Sequence, residues 1–244
     1  MPAARAEPAR AVMLELFPEG FEEHEAGGSL ELAAYTDAGG EERMWQAFGG
    51  PGAAKDVESG WEDRWRQFHR PQRVGRLWIG PPWEEPDAGA LAVVIDPGRA
   101  FGTGGHPTTR LCLELLEAEP RGSVLDVGCG SGVLSIAAAR LGFAPVLGVD
   151  VDPQAVEATE RNAAANGVAV TARVADLRAE RLPPADLALA NIAPDAVAAL
   201  SGRLDAGRAI TSGYLVSDEP ELVGYRRERR IQHEGWAADL HVRA

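Results

Sequence analysis

Apolar residues fall in short, irregular clusters over the first hundred positions. From residue 108 onward they alternate between a helical and an extended period. Thr108 to Ala118 reads as a helix, Ser123 to Val127 as a strand, and Gly132 to Leu141 as a helix closed by Gly142. Pro145 to Asp150 reads as a strand. Asp152 and Pro153 then supply the cap and first position of a helix that ends at Asn166–Gly167. Strands follow at Val168 to Val174 and Asp186 to Asn191, a helix at Pro194 to Leu204, and a strand at Ala209 to Leu215. Arg229 to Val242 has room for two more strands. Repeated strand–helix units predict an α/β fold, a parallel sheet with helices on both faces. Such sheets bind ligands beyond the carboxyl ends of their strands. Gly128, Asp150, Asp176 and Asn191 all fall at ends of that kind.

The preceding part is organised differently. Ala11 to Phe17 is apolar enough for a short element, and Ser29 to Thr36 partly alternates like a strand. Glu41 to Phe48 has Met44, Trp45 and Phe48 on one helical side. A Gly/Pro/Ala-rich stretch from Gly49 to Gly60 reads as a linker. Residues 1–59 are therefore expected to form a small α+β module, too small to be strongly stable alone. Residues 60–75 are expected to form a linker helix, with Trp61, Trp65 and Phe68 as its packing stripe. Leu77 to Ile79 and Ala90 to Ile95 read as short strands within a domain spanning 76–244.

Composition narrows the possibilities modestly. A net charge of −13 argues against non-specific nucleic-acid binding, which needs a positive surface, and is compatible with a basic protein partner. No apolar run approaches a membrane span, and the first residues, MPAARAEPAR, lack the apolar core of a signal peptide. The two cysteines, Cys112 and Cys129, lie in a predicted helix and a glycine turn. They suggest neither a disulfide nor a metal site, so a cytoplasmic protein without bound metal is expected. A monomer is also expected.

The chemistry concentrates in VLDVGCGSG, Val124 to Gly132, and in Asp150 at the end of the next strand. Glycine reaches positive φ and lets a ligand approach the backbone closely. A carboxylate ending the second strand can hold both hydroxyls of a ribose. The dinucleotide fingerprint is GxGxxG. Here the glycines stand at 128, 130 and 132 and position 133 is Val, so the turn is GxGxG. That form resembles the S-adenosylmethionine site of class I methyltransferases. Asp176, after the third strand, is a candidate contact for the adenine amino group.

A second segment, AFGTGGHPTT from Ala100 to Thr109, combines pliable glycines with an aromatic ring and polar tips. His106 is not assigned as a general base, because a lone loop histidine is more often structural. FGTGGHPTT, VLDVGCGSG, GVDVDP, the NG at 166 and LANI together resemble the ribosomal protein L11 methyltransferase family, PrmA. WEDRWRQFHRPQRVGRLWIGPPW resembles the segment leading into that family's catalytic domain.

The resemblance implies a Rossmann-like class I methyltransferase domain behind a small N-terminal substrate-recognition domain, which here looks shortened. It implies S-adenosylmethionine as cofactor and methylation of lysine side chains and the α-amino group of ribosomal protein L11 or another basic protein. Thr109, Gly128, Gly130, Asp150, Asp176 and Asn191 would contact the cofactor. Phe101, Gly102 and Thr103 would line the pocket where donor and acceptor meet, and Asn191 would also orient the amine. A different protein lysine or a small molecule is the alternative acceptor. Outside that class stand a nucleotide-linked oxidoreductase, opposed by Val133, and a non-catalytic adaptor, opposed by the intact site residues.

Overall fold

The computed structural model describes residues 9, 12, 13, 16, 22–26, 29–34, 38–49, 70–96 and 105–244. The chain forms two compact units, Met1–Trp61 and Glu62–Ala244. In the first, β1 (Glu22–Ala26) pairs antiparallel with β2 (Ser29–Ala33), and α1 (Ala38–Phe48) follows. β1, with the sequence EEHEA, carries no apolar alternation and was not legible in the pattern.

The second unit begins with a three-stranded sheet. β3 (Gln72–Val74) and β4 (Leu77–Gly80) form a hairpin, and β5 (Leu91–Val94) runs parallel to β4. The expected linker helix over 60–75 is thus corrected at its end, where Gln72–Val74 is a strand; residues 60–69 lie outside the described ones. The cause is local. Gly75 takes a φ of 51°, which turns the chain between Val74 and its partner Leu77.

The main sheet has seven strands. They are β6 (Val124–Val127), β7 (Val146–Asp150), β8 (Val170–Val174), β9 (Ala185–Asn191), β10 (Ala206–Leu215), β11 (Tyr225–His233) and β12 (Trp236–Arg243). Their spatial order is β11-β12-β10-β9-β6-β7-β8. The run from β8 to β10 is parallel, while β12 is antiparallel to both of its neighbours. This is the α/β architecture anticipated from the alternating pattern, in the Rossmann-like form that the resemblance implied. Order reverses at β6, with β7 on one side and β9 on the other, and the carboxyl end of β6 is thus the switch point at which sheets of this kind form a ligand crevice.

Helices α2 (Pro107–Ala118), α3 (Val133–Leu141), α4 (Pro153–Ala165) and α5 (Pro194–Ala199) complete the unit. Asp152 caps α4 through Gln154 N at 2.9 Å, with Pro153 next in line. α3 ends on Gly142 in the left-handed region. α5 is shorter than the expected Pro194 to Leu204. Beyond Ala199 the chain tightens into turns that end at Gly202, whose φ is 71°. The larger core lies under α2 and α3, where Leu111, Leu115, Ile136 and Leu189 pack with Leu77 and Val93 of the small sheet.

A polar network is buried within β10, β11 and β12. Asp239, 0% exposed, receives Arg230 Nε and Nη2 at 2.8 Å each and the Tyr214 hydroxyl at 3.0 Å. Thr211 Oγ1 lies 2.6 Å from the Tyr214 hydroxyl and 2.9 Å from His241 Nε2. Burial pushes the Tyr214 hydroxyl well above its ordinary pKa and His241 below its own, so both are neutral at pH 7. Breaking a buried ion pair on one side leaves an uncompensated charge, at a cost of about 3–5 kcal/mol. Arg230→Met should lower stability by an amount of that order, read as a fall in the urea midpoint at constant slope. An unchanged midpoint would show that Asp239 does not depend on its bidentate partner.

Candidate functional site

The site is built on the turn after β6. Gly128, Gly130 and Gly132 have φ values of 74°, 54° and 83°, a region that side chains with a Cβ rarely enter. Space excludes a side chain as well. A Cβ on Gly128 would come 2.5 Å from Ile192 Cγ2, and one on Gly132 would come 3.0 Å from Thr159 Cα. Gly128 N and Cys129 N both donate to Val149 O, at 2.8 and 3.1 Å, so the turn is sewn onto the end of β7.

Asp150 closes the arrangement. Its Oδ2 accepts from Gly130 N and its Oδ1 from Asp152 N, each at 3.0 Å. Each carboxylate oxygen has a second lone pair, so the group retains acceptor capacity for two hydroxyls. Asp150 therefore shapes the turn from the carboxyl end of β7, beside the switch point. The glycines and the carboxylate, 20 positions apart in sequence, are one hydrogen-bonded unit.

α4 supports the turn from behind. Thr159 Oγ1 donates to Gly130 O at 3.0 Å, and Asn162 Nδ2 donates to Ser131 O at 2.9 Å. One turn further on, Asn166 holds β5 from both sides. Its Oδ1 accepts from Val94 N at 2.8 Å and its Nδ2 donates to Val94 O at 2.7 Å. These polar residues face inward on α4 and are buried. Each is buried with a backbone partner, as buried polar side chains generally are.

The other half of the site comes from α2 and β9. Asn191 Nδ2 donates to Thr109 Oγ1 at 3.3 Å, bringing together two predicted residues that lie 82 positions apart. Ile192, next to Asn191, is the residue that abuts Gly128. The two halves therefore touch at the Gly128–Ile192 contact. β10 reaches this point by a bulge at Gly213, whose φ is 101°. A Cβ there would lie 2.2 Å from Ile192 O. Thr109 is buried and positioned by the start of α2, where His106 is the cap. His106 Nδ1 accepts from Thr108 N at 3.3 Å, and the ring meets Trp236 edge-on at 4.6 Å. His106 is a structural cap with an aromatic neighbour, which accounts for a histidine in that segment without a proton-transfer role.

Asp176 lies two residues beyond β8 and is exposed. Its Oδ1 accepts from Arg178 N at 2.8 Å, which leaves its other oxygen for a ligand. Phe101, Gly102 and Thr103 lie outside the described residues. Cys112 and Cys129 are buried, and desolvation pushes both thiols up, Cys129 to about 12, so neither is a thiolate at pH 7.

One site residue was missed by the sequence reading. Asp126 is 1% exposed at the floor of the turn and accepts from Ser135 Oγ at 2.6 Å. A carboxylate inside the apolar strand VLDV was the available signal, since such a group is not buried without cause. Burial raises its pKa from 3.8 to about 6, with the charge of Asp150 adding to the shift and the Ser135 bond opposing it.

Comparison with known proteins bears on these features. The sequence profile of the family described as ribosomal protein L11 methyltransferase (PrmA) matches residues 39–239. Over 183 residues the chain is 46% identical to a ribosomal protein L11 methyltransferase of Dechloromonas aromatica. That alignment covers 70% of this chain and 61% of the relative. The counterpart from Symbiobacterium thermophilum is 40% identical over 202 residues, covering 76% of this chain and 66% of the relative. The chain thus spans somewhat less than two thirds of the length of the relatives it matches. The crystal structure of the ribosomal protein L11 methylase from Lactobacillus delbrueckii subsp. bulgaricus is similar at a TM-score of 0.62 and 31% identity. It covers 70% of this chain and 96% of that one.

The raised pKa of Asp126 makes a signed prediction. Its folded value lies above the unfolded one, so its favourable contribution is complete below about pH 4 and is lost as pH rises through about 6. Above that pH the buried charge is a burden of about 3 kcal/mol. Asp126→Asn should therefore be more stable than the wild type at pH 8, by up to that amount, and the difference should shrink as pH falls from 6 to 4. Denaturant titrations at both ends of the window read it directly. A variant less stable at pH 8 would mean that the Ser135 bond outweighs desolvation.

Proposed function

Because the chain belongs to the ribosomal protein L11 methyltransferase (PrmA) family, we propose that it is an S-adenosylmethionine-dependent N-methyltransferase. Its acceptors are lysine side chains and the α-amino group of ribosomal protein L11. The observation that carries this reading is the contiguity of the two halves of the site. A nucleoside-reading unit, Gly130 with Asp150, meets an amide-bearing unit, Asn191 with Thr109, at the Gly128–Ile192 contact.

The residues fit the proposed cofactor. The glycine turn offers backbone without side chains, and the Asp150 carboxylate keeps acceptor capacity for the ribose hydroxyls after serving Gly130 N and Asp152 N. Asp176, with one carboxylate oxygen not engaged by Arg178 N, is the proposed partner of the adenine amino group. The buried carboxyl of Asp126, beneath the turn, favours a cationic ligand whenever it is ionised. When bound, S-adenosylmethionine supplies an activated methyl group on a positively charged sulfur, so no protein nucleophile is needed.

What remains for the chain is to present a neutral amine in the right direction. Lysine has a reference pKa of about 10.4. Its ammonium form is disfavoured by desolvation and by a nearby positive charge. Asn191 Nδ2 is engaged by Thr109, which leaves Asn191 Oδ1 to accept a hydrogen bond from the amine and aim its lone pair. Thr109, fixed by the His106-capped start of α2, holds the amide in that orientation. Catalysis on this account is alignment rather than general base chemistry.

The decisive assay is incubation with purified ribosomal protein L11 and S-adenosylmethionine, followed by intact-mass analysis. Products heavier by whole methyl groups are expected. Cofactor binding without transfer would redirect the search to another protein lysine or a small molecule. A preference for NAD would overturn the class.

Two substitutions separate the roles. Asp150→Ala should weaken S-adenosylhomocysteine binding by about 1.5–3 kcal/mol, the usual worth of a hydrogen bond to a charged group. Asp150→Asn, which keeps an acceptor for Gly130 N, should lose less. Equal affinity in all three proteins by calorimetry would remove the ribose assignment. Asn191→Ala should cut kcat on the order of a hundredfold through misalignment, with Thr109→Val following in the same direction. A full-rate Asn191→Ala enzyme would exclude the orientation role.

A further inference from the structure

The opposite end of the main sheet carries a feature that the methyl-transfer reading does not use. A groove of about 300 Å³ opens at the amino-terminal ends of β9 and β10, where β11 begins and β12 ends. Two loops form its floor. Leu182 N donates to Arg203 O at 3.2 Å and Ala185 N to Asp205 O at 3.0 Å, which fixes the two loops against each other. Leu182 and Leu204 are buried beneath. One wall is Tyr225, whose hydroxyl donates to Ala206 O at 2.7 Å and accepts from Ala206 N at 3.1 Å. Gly202 and Gly224 have positive φ, and a Cβ on either would meet nothing within 4 Å, so the rim there is bare backbone.

Charge makes this groove unusual. The chain as a whole has a net charge of −13. The groove is lined by Arg181, Arg203 and Arg243 with a single carboxylate, Asp205. Asp205 already pairs with Arg243 at 2.8 Å. Among the described residues, the guanidinium groups of Arg181 and Arg203 have no ion pair or hydrogen bond. Two arginines with unpartnered guanidinium groups thus line one concave surface, beside an apolar Val223 that is 58% exposed. Planar guanidinium forks match the oxygens of a phosphate group in bidentate fashion.

We propose that this groove binds a phosphate group, free or carried on a nucleotide, at a site separate from the glycine turn. Arg181 and Arg203 grip the phosphate oxygens, and Val223 and Tyr225 offer an apolar shelf to whatever the phosphate carries. The inference is independent of the methyltransferase reading, since it draws on no residue of that site.

The test is calorimetric titration with pyrophosphate and, separately, with ADP. Saturating S-adenosylhomocysteine is present throughout, and the wild type is compared with the Arg181→Ala/Arg203→Ala double variant. Arg181 is exposed and Arg203 half-buried, and retained S-adenosylhomocysteine binding certifies that the variant is folded. The wild type should bind pyrophosphate, and the double variant should bind it about tenfold or more weakly. Affinity should fall as salt is raised. Tighter binding of ADP than of pyrophosphate would assign the phosphate to a nucleotide, and equal binding would assign it to a free anion. Absence of binding to the wild type, or binding that the double variant retains in full, would overturn the proposal.

Discussion

The hydrogen bond from Gly130 N to an oxygen of Asp150 is the constraint on which the rest of the site depends. It ties the turn after β6 to the end of β7, and it does so with the same carboxylate that is proposed to hold the ribose. A charge-assisted bond of this kind is worth about 1.5–3 kcal/mol. Its larger effect is geometric. It holds the glycine backbone in left-handed conformations while Thr159 and Asn162 take up the carbonyls of Gly130 and Ser131. The turn is thereby satisfied from behind and left bare in front. The close approach of Ile192 to Gly128 carries the same constraint to β9, where Asn191 and Thr109 stand.

Energetic tension is concentrated under this point. Asp126 is buried with a raised pKa beneath the turn, and a second buried carboxylate, Asp239, lies in β12 with Arg230 and Tyr214 around it. The two are handled differently. Asp239 is fully partnered by a bidentate guanidinium and a hydroxyl, so it behaves as a structural tie between β11 and β12. Asp126 has only Ser135, through its hydroxyl and its backbone N–H, and no ion pair among the described residues, and it sits where a cationic ligand is proposed to bind. A group that is costly in the free protein and useful in the bound one is a common mark of a functional position.

Much of the parallel sheet was legible because its signals are local. Glycines at 128, 130 and 132, the Asp152–Pro153 cap and the Gly142 stop each describe their own few residues, and those residues behave accordingly. Asn191 and Thr109 were each named as cofactor contacts, but the hydrogen bond between them was not anticipated, because 82 positions of separation hide it from any window along the chain. Asp126 and Asn162 were passed over, and Asn166 was read only as a helix end, for a related reason. A polar residue in an apolar strand or on the inner face of a helix reads as an exception until its partner is seen, and the partners here are Ser135, Ser131 and Val94. The strand Glu22–Ala26 was invisible because its sequence is nearly all polar, so its extended form rests on pairing with Ser29–Ala33 rather than on its own pattern. The end of the expected linker helix gave way to a strand because Gly75 turns Val74 back onto Leu77.

The central claim is that the two halves of the crevice form one site for a nucleoside donor and an amine acceptor. A crystal structure of the protein with S-adenosylhomocysteine tests it most directly. The account predicts both ribose hydroxyls on the Asp150 carboxylate, the glycine backbone against the ligand, and the sulfur turned toward Asn191 and Thr109. A ribose bound elsewhere, or a sulfur pointing away from Asn191, would contradict it.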